Sequence, residues 1–180
     1  VANLITFAEA VKKRDKVNVL KSFKQHTKIF PEIFEIVIEF WILIMDKKKD
    51  EAFTLINSIS IKNEAQLQIV NYNQLLAYVY FNDYEQAKTL YENMDFRSFL
   101  FDSESALALI EYFQKEKESK VVERILSKAR SASDNAYYIQ DLVKKISNGE
   151  TNNSIKIDPY KQIAEIFFRW SQSVQLDNKN

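Results

Sequence analysis

Apolar residues recur along most of the chain at spacings of three and four, which place their side chains on one face of a helix. Short polar corners interrupt this pattern at DKKK (46–49), FNDY (81–84) and KEKES (115–119). We therefore expect an all-α protein of about nine or ten helices. The predicted helices lie near residues 2–13, 16–28, 31–46, 50–58, 63–81, 84–94, 102–116, 119–132, 134–147 and 159–175.

The helical pattern repeats itself every 35 residues. Ala52, Ala87 and Val122 each stand early in a helix that follows a polar corner. Apolar residues occupy the same offsets around all three: twelve before (Phe40, Leu75, Ile110), nine before (Leu43, Tyr78, Phe113), four after (Ile56, Tyr91, Leu126) and seven after (Ile59, Met94, Ala129). Self-similarity at this period predicts a stack of helical hairpins.

The repeat sets the expected organisation of the chain. It is clearest over 31–132, while 1–28 and 134–175 fit it loosely. We expect one helical-repeat domain over 1–175, with a loop at 147–157, a C-terminal capping helix at 159–175 and a disordered tail at 176–180. Asp83 with Gln86, and Asn63 with Gln66, have the spacing of helix-capping pairs, and Pro159 after Asp158 suits a helix start.

The stretch NQLLAYVYFNDYEQAKTLYENM (73–94) resembles the tetratricopeptide repeat. The pair at 77–78, the corner at 83–84, the small Ala87 and the aromatic Tyr91 fall in the register of that family's signature. The resemblance implies a right-handed α-solenoid of antiparallel hairpins, whose first helices line a concave face. It also implies a non-catalytic scaffold that binds a protein or a peptide.

Carried onto this sequence, the resemblance assigns the concave face to the side chains that lie between the repeated apolar positions. Trp41, Tyr72 and Tyr80 would be the aromatic anchors, and the charged residues would supply specificity. The expected binding residues are Phe34, Trp41, Met45, Tyr72, Val79, Tyr80, Glu104, Glu111 and Lys115.

The helix at 31–46 is apolar nearly all round, so that something must cover its inner face. Three occupants stay open from the sequence: the last helix, a bound ligand, and a second copy of the chain in a homodimer. The last helix offers a strong apolar stripe for this purpose, formed by Ile163, Ile166, Phe167, Trp170 and Val174.

Two other functions also fit a helical repeat. The first is the effector domain of a larger, peptide-responsive bacterial regulator, which the Lys-, Asn- and Ile-rich composition would suit. The second is an RNA-binding module, because a 35-residue hairpin is also similar to the pentatricopeptide repeat. RNA reading needs polar residues near Phe40, Leu75 and Ile110, and a net positive charge. The net charge is zero, and we do not expect nucleic acid as a partner.

Composition argues against catalysis and cofactors. The chain has no Cys, one His (His26) and one Gly, which argues against a Cys–His nucleophile, a zinc site and a Gly-rich phosphate loop. We expect no enzyme activity, no cofactor and no metal. No apolar run is long enough to span a bilayer, and we expect a cytoplasmic protein. The sequence starts at Val1 and not at Met, which suggests a fragment or a processed product.

Overall fold

The structure is a computed structural model that describes residues 2–25, 30–94, 103–131, 144, 148 and 156–177. Over these residues all regular secondary structure is α-helical, which confirms the all-α prediction. The helices are α1 (Ala2–Lys12), α2 (Lys16–Gln25), α3 (Glu32–Met45), α4 (Lys49–Asn57), α5 (Glu64–Tyr80), α6 (Tyr84–Asn93), α7 (Ser103–Lys115), α8 (Ser119–Ser131) and α9 (Pro159–Asp177).

These helices agree with the predicted ones to within about three residues at each end. Most of the predicted helix at 134–147, most of the loop at 147–157 and His26 lie outside the described residues. At the C-terminus, α9 continues through Asp177, so two residues assigned to the predicted tail are helical.

Among the described residues, four helix pairs are joined by the same type of corner. Each corner holds one non-glycine residue at positive φ: Arg14 (55°), Lys47 (61°), Asn82 (55°) and Lys117 (62°). The residue that follows donates its backbone N–H to the carbonyl five positions earlier, the hydrogen bond of a Schellman helix end. These bonds are Asp15 to Ala10 (2.9 Å), Lys48 to Leu43 (3.0 Å), Asp83 to Tyr78 (2.8 Å) and Glu118 to Phe113 (2.8 Å).

The residue after the positive-φ residue also starts the next helix. Its carbonyl accepts the first helical N–H of the next helix, at Val19 (2.8 Å), Ala52 (3.0 Å), Ala87 (3.0 Å) and Val122 (3.1 Å). All four of these residues are buried. The corner therefore explains why apolar residues recur nine positions apart in the sequence repeat. The pair α1–α2, which fits the sequence repeat only loosely, has the same corner.

Side-chain caps hold several helix starts, largely as predicted. Asp83 accepts from the backbone N–H of Gln86 at 3.4 Å, and Asn63 accepts from that of Gln66 at 3.0 Å. The Gln66 side chain reaches back to the N–H of Lys62 at 2.9 Å, one residue before the predicted Asn63. Asp158 caps α9 by accepting from the N–H of Tyr160 at 3.1 Å.

Two compact units are distinguished, and the first comprises residues 1–66 and 158–180. Within it α1 packs on α2, α3 packs on α4, and α9 packs on both α1 and α3. Aromatic rings fill the contact with α9: Phe30 lies 4.8 Å from Trp170 and 6.2 Å from Phe167, and Phe7 lies 6.2 Å from Phe167 (ring centroids). The last helix is therefore one of the elements that cover α3.

Ion pairs link the corners within the first unit. The Arg14 guanidinium lies 2.5 Å from the Asp158 carboxylate and stacks on the Tyr160 ring at 5.9 Å. Lys16 contacts Asp46 of the next corner, and this hydrogen bond raises the pKa of the Lys16 ammonium. The start of α9 is thus held to the α1–α2 corner by the charge contact of Arg14 with Asp158 and by its stacking on Tyr160.

The second unit comprises residues 67–157 and contains most of α5 together with α6, α7 and α8. Tyr91 of α6 is 1% exposed, and its ring lies 5.4 Å from Phe113 of α7. Its hydroxyl donates to the Val121 carbonyl of α8 at 3.3 Å. Leu75, Leu109 and Ile125 are also fully buried. The single domain expected over 1–175 stays a prediction.

Candidate binding surface

Three of the predicted binding residues lie on α3 in the first unit. Phe34 and Met45 are half-buried. Trp41 is 0% exposed, and its ring packs edge-on against Phe40 at 5.5 Å. Trp41 is therefore a core residue and not a surface anchor. The sequence misplaces it because α3 is apolar nearly all round, and helical periodicity cannot show which apolar side faces outward.

Three more predicted residues form a stripe on α5 in the second unit. Tyr72, Val79 and Tyr80 are each half-buried and stand at the i, i+7 and i+8 positions of one helix face. Leu76, between them on the same face, is 0% exposed. The Tyr80 ring packs edge-on against Phe81 at 5.2 Å, which limits its orientation. We call Tyr72, Val79 and Tyr80 the α5 stripe.

The charged residues predicted for specificity lie on α7, also in the second unit. Glu111 is half-buried and Lys115 is exposed, one turn later on the helix. The side chain of Glu104 lies outside the described residues. The second unit therefore carries the half-buried α5 stripe and, on α7, two charged side chains at its surface.

The three positions at which an RNA-binding repeat would need base-reading side chains are closed to any ligand. Phe40, Leu75 and Ile110 are each 0% exposed. These residues pack in the cores of their own units and are apolar. They cannot offer hydrogen bonds to the edges of bases.

A cluster of three polar side chains, Tyr84, Lys88 and Glu118, was not found from the sequence. The Lys88 ammonium lies 2.6 Å from the Glu118 carboxylate, which also accepts a hydrogen bond from the Tyr84 hydroxyl. The hydrogen bond from Lys88 lowers the pKa of Glu118, and the same bond raises the pKa of Lys88. The signal in the sequence is an acidic corner residue that follows a basic residue by 30 positions.

This cluster holds its charges at neutral pH. Glu118 stays ionised and Lys88 stays protonated, so neither is poised to exchange a proton as a general acid or base. The hydrogen bond to Glu118 raises the pKa of Tyr84 in the same way. We interpret the cluster as a tie between α6 and the corner that starts α8, of the same kind as the contact of Lys16 with Asp46.

Two buried tyrosines of the second unit differ in their hydrogen bonding. Burial raises the pKa of both, to about 12 for Tyr112. The Tyr91 hydroxyl donates to the Val121 carbonyl, and the Arg124 guanidinium stacks on its ring at 5.5 Å. The Tyr112 hydroxyl is buried without a hydrogen-bond partner among the described residues. Such a group costs free energy in the folded state.

Three further findings concern the chain as a whole. Within the described residues, no helix is long and apolar enough to cross a membrane. No group of three or more His, Cys, Asp or Glu side chains in that part of the chain is placed to hold a metal ion. Comparison of the chain with protein-family models, with curated proteins and with solved structures found no match.

Proposed function

We propose that this chain is a non-catalytic helical-repeat scaffold that binds a peptide or a protein segment, and that the α5 stripe is its contact surface. The observation that carries the proposal is the partial exposure of two tyrosines on a helix that is otherwise well anchored. Tyr72 and Tyr80 are half-buried, whereas Leu75, Leu76 and Ala77 between them are each 0% exposed.

This arrangement favours binding because the anchors are held before a partner arrives. A tyrosine offers a large apolar ring and a hydroxyl at a small cost in conformational entropy, which is why tyrosine is frequent in binding hot spots. From Tyr72 to Tyr80 the stripe is about 12 Å long, a distance that about four extended residues span. A short linear peptide segment therefore fits the stripe.

The repeated corners support the finer part of the proposal, a tetratricopeptide-like stack. Four corners with a positive-φ residue at the same position and the same pair of backbone hydrogen bonds are what a repeating helical hairpin requires. In such a stack the α5 stripe belongs to a first helix and faces the concave side. Glu111 and Lys115 of α7 would then select the charge pattern of the peptide.

A phage-displayed library of random peptides of about twelve residues tests the proposal, since it samples every segment long enough to span the stripe. We expect wild-type protein to enrich peptides with an apolar or aromatic pair. Tyr72→Ala and Tyr80→Ala should each weaken their binding by about thirtyfold while leaving the helical circular dichroism unchanged.

Leu67→Ala is the matched control, because Leu67 is 37% exposed on another face of the same helix. It should bind the selected peptides as the wild type does. Equal loss in all three variants, or the absence of any enriched peptide, would contradict the proposal.

A further inference from the structure

The last helix, α9, packs on α1 and α3, which are the first helices of the two hairpins in the first unit. It begins at the α1–α2 corner, where Asp158 contacts Arg14 at 2.5 Å. About two turns later, the ring of Phe167 lies 6.2 Å from Phe7, near the middle of α1, and 6.2 Å from Phe30, just before α3. α9 therefore starts at the end of α1 and runs back toward the starts of α1 and α3, antiparallel to both.

The α5 stripe occupies the positions on its helix that lie beside α9 in the first unit. Equivalent positions are counted back from the positive-φ residue of each corner. The positions ten and six residues before it hold Leu4 and Ala8 on α1, Val37 and Trp41 on α3, and Tyr72 and Leu76 on α5. Leu4 and Ala8 line an apolar groove of about 310 Å³ together with Phe167 of α9. Val37 and Trp41 are 0% exposed, on a helix against which α9 packs.

The two units also join their hairpins in the same way. In each unit, the residue that starts the second helix of the first hairpin contacts the next corner. In the first unit this residue is Lys16, which contacts Asp46. In the second unit it is Tyr84, whose hydroxyl donates to Glu118. The first helices of the second unit, α5 and α7, therefore correspond to α1 and α3.

The helix α9 shows what kind of segment such first helices accept. It carries apolar residues at the i, i+3, i+4 and i+7 positions, namely Ile163, Ile166, Phe167 and Trp170. The first two are 0% and 6% exposed. This spacing places the four side chains on one face of the helix. The face that α9 fills in the first unit is thus filled by an amphipathic helix, whereas the α5 stripe is only half-buried.

We propose that the α5 stripe binds an amphipathic helix of a partner protein, antiparallel to α5, as α9 lies on α1 and α3. This proposal rests on the proposed function and specifies the conformation of the bound segment. About eight helical residues span the 12 Å of the stripe. The partner helix therefore presents apolar side chains over two turns, at positions such as i, i+4 and i+7.

The end of α7 adds a charge preference. Lys115 and Lys117 stand two residues before and at the positive-φ position of their corner, where α1 has Lys12 and Arg14. Both lysines are exposed. Since Arg14 contacts Asp158 at the start of α9, we expect the partner helix to carry an acidic residue in its first turn. A carboxylate is also favoured there by the helix dipole.

A displayed library of helical peptides of about eighteen residues tests the proposal. Positions i, i+3, i+4, i+7 and i+8 are varied, and the remaining positions are Ala, Glu, Lys or Gln, which favour a helix. Wild-type protein should enrich peptides whose binding falls about thirtyfold in Tyr72→Ala and in Tyr80→Ala, but not in Leu67→Ala. If the random twelve-residue library yields peptides that depend on these tyrosines and the helical library yields none, the proposed function stands and this proposal is overturned. If neither library does, both are overturned.

Proline substitutions in the synthesised peptides test the bound conformation. A proline at the centre of a helix costs about 3 kcal/mol, so it should weaken binding by about a hundredfold. The matched control is a proline at the first helical position, which a helix tolerates and which α9 itself has in Pro159. It should leave binding unchanged. Equal binding of the two proline peptides would mean that the segment binds extended, and it would overturn the proposal.

A charge reversal tests the orientation. Lys115→Glu should weaken the binding of peptides with an acidic first turn by about tenfold. A peptide with lysine in its first turn should bind this variant better than it binds the wild type. Lys21→Glu is the control for net charge, because Lys21 is exposed on α2 in the first unit. Equal effects of the two reversals would overturn the proposal.

The oligomeric state of the chain without peptide tests the other occupant. Sedimentation velocity between about 1 and 300 µM should show the same monomeric species for the wild type and for Tyr80→Ala. A dimer that Tyr80→Ala abolishes would mean that a second copy of the chain covers the α5 stripe, and it would overturn the assignment to a partner helix.

Discussion

At the scale of single residues, the hydroxyl groups of the two buried tyrosines of the second unit make opposite contributions to the stability of the fold. Tyr91 donates its hydroxyl hydrogen to the Val121 carbonyl, and the Tyr112 hydroxyl has no such acceptor among the described residues. A buried hydroxyl without a partner loses its hydrogen bonds to water and gains nothing in return. The same chemical group is therefore stabilising at one position and destabilising at the other.

Removal of each hydroxyl should show this difference. Tyr112→Phe should raise the free energy of unfolding by about 1 kcal/mol, and Tyr91→Phe should lower it by about 1 kcal/mol. Urea denaturation followed by circular dichroism measures both, and each variant is the other's control. Destabilisation of equal size by both substitutions would mean that the Tyr112 hydroxyl has a partner in the folded protein.

The corner residues carry a backbone cost that follows from the scarcity of glycine. The sequence has one Gly, and all four corners use other residues at positive φ. Lys117, at φ 62°, places its Cβ against the following carbonyl, whereas Asn82 at φ 55° is of a type that tolerates this region. Lys117→Gly should therefore stabilise the fold by about 1 kcal/mol, and Asn82→Gly by clearly less.

Thermal unfolding of the two glycine variants beside the wild type measures the difference. A destabilising effect of Lys117→Gly would contradict this account of the corner, since it would mean that the flexibility of glycine in the unfolded chain outweighs the relief in the folded one.

At the scale of elements, the Glu118 carboxylate joins α6 to the start of α8 through Lys88 and Tyr84. Its pKa in the folded protein is lowered from 4.5. A carboxyl group with a lowered pKa stabilises the fold above its unfolded pKa, and this contribution is lost as the pH falls through the folded value. Lys88, whose pKa is raised from 10.5, contributes below 10.5 and loses its contribution as the pH rises beyond that value.

Glu118→Gln should therefore reduce the loss of folding stability that accompanies a fall in pH. The wild type should lose stability faster than the variant as the pH falls below about 4.5. Denaturant midpoints measured at a series of pH values from neutral to acid give both curves. Glu85→Gln is a control, since Glu85 is an exposed carboxylate on α6, the same helix that carries Lys88. Parallel acid limbs in the wild type and Glu118→Gln would contradict the assignment.

The helices themselves were predictable because their signals are local. Apolar periodicity and caps such as Asp83 and Asp158 act within a few residues, and the structure keeps them. The α1–α2 pair is harder to recognise, since Val19 and Ala52 are 33 residues apart whereas the later equivalent positions, 52, 87 and 122, are 35 apart. Its corner becomes clear only from the positive φ of Arg14 and the bond from Asp15 to Ala10.

The candidate surface was less predictable because exposure depends on distant elements. Trp41 and Tyr80 both occupy expected groove positions, yet Trp41 is fully buried and Tyr80 is half-buried. The packing of α9 on α3 joins segments more than 100 residues apart, and no local pattern specifies it. Likewise, Leu4 and Ile5 of α1 line an apolar groove together with Phe167 of α9, so the sequence of α1 alone does not reveal this groove.

At the scale of the whole molecule, the last helix, α9, packs in the first unit although it is far from α1 in sequence. Ile163 and Ile166 of α9 are 0% and 6% exposed, so this helix supplies core residues and is more than a cover. Both tryptophans of the sequence, Trp41 and Trp170, belong to this unit. Tryptophan fluorescence therefore reports on the first unit alone, while circular dichroism reports on all helices.

Truncation of a core residue on α9 should consequently appear in the tryptophan signal. Ile163→Ala removes a fully buried side chain and should lower the free energy of unfolding by about 3 kcal/mol when it is followed by fluorescence. Phe168→Ala, at a site 55% exposed on the same helix, should change it by less than about 0.5 kcal/mol. If Ile163→Ala left the fluorescence midpoint unchanged, α9 would not be part of the core that contains Trp41. The first unit would then owe its stability to residues other than Ile163.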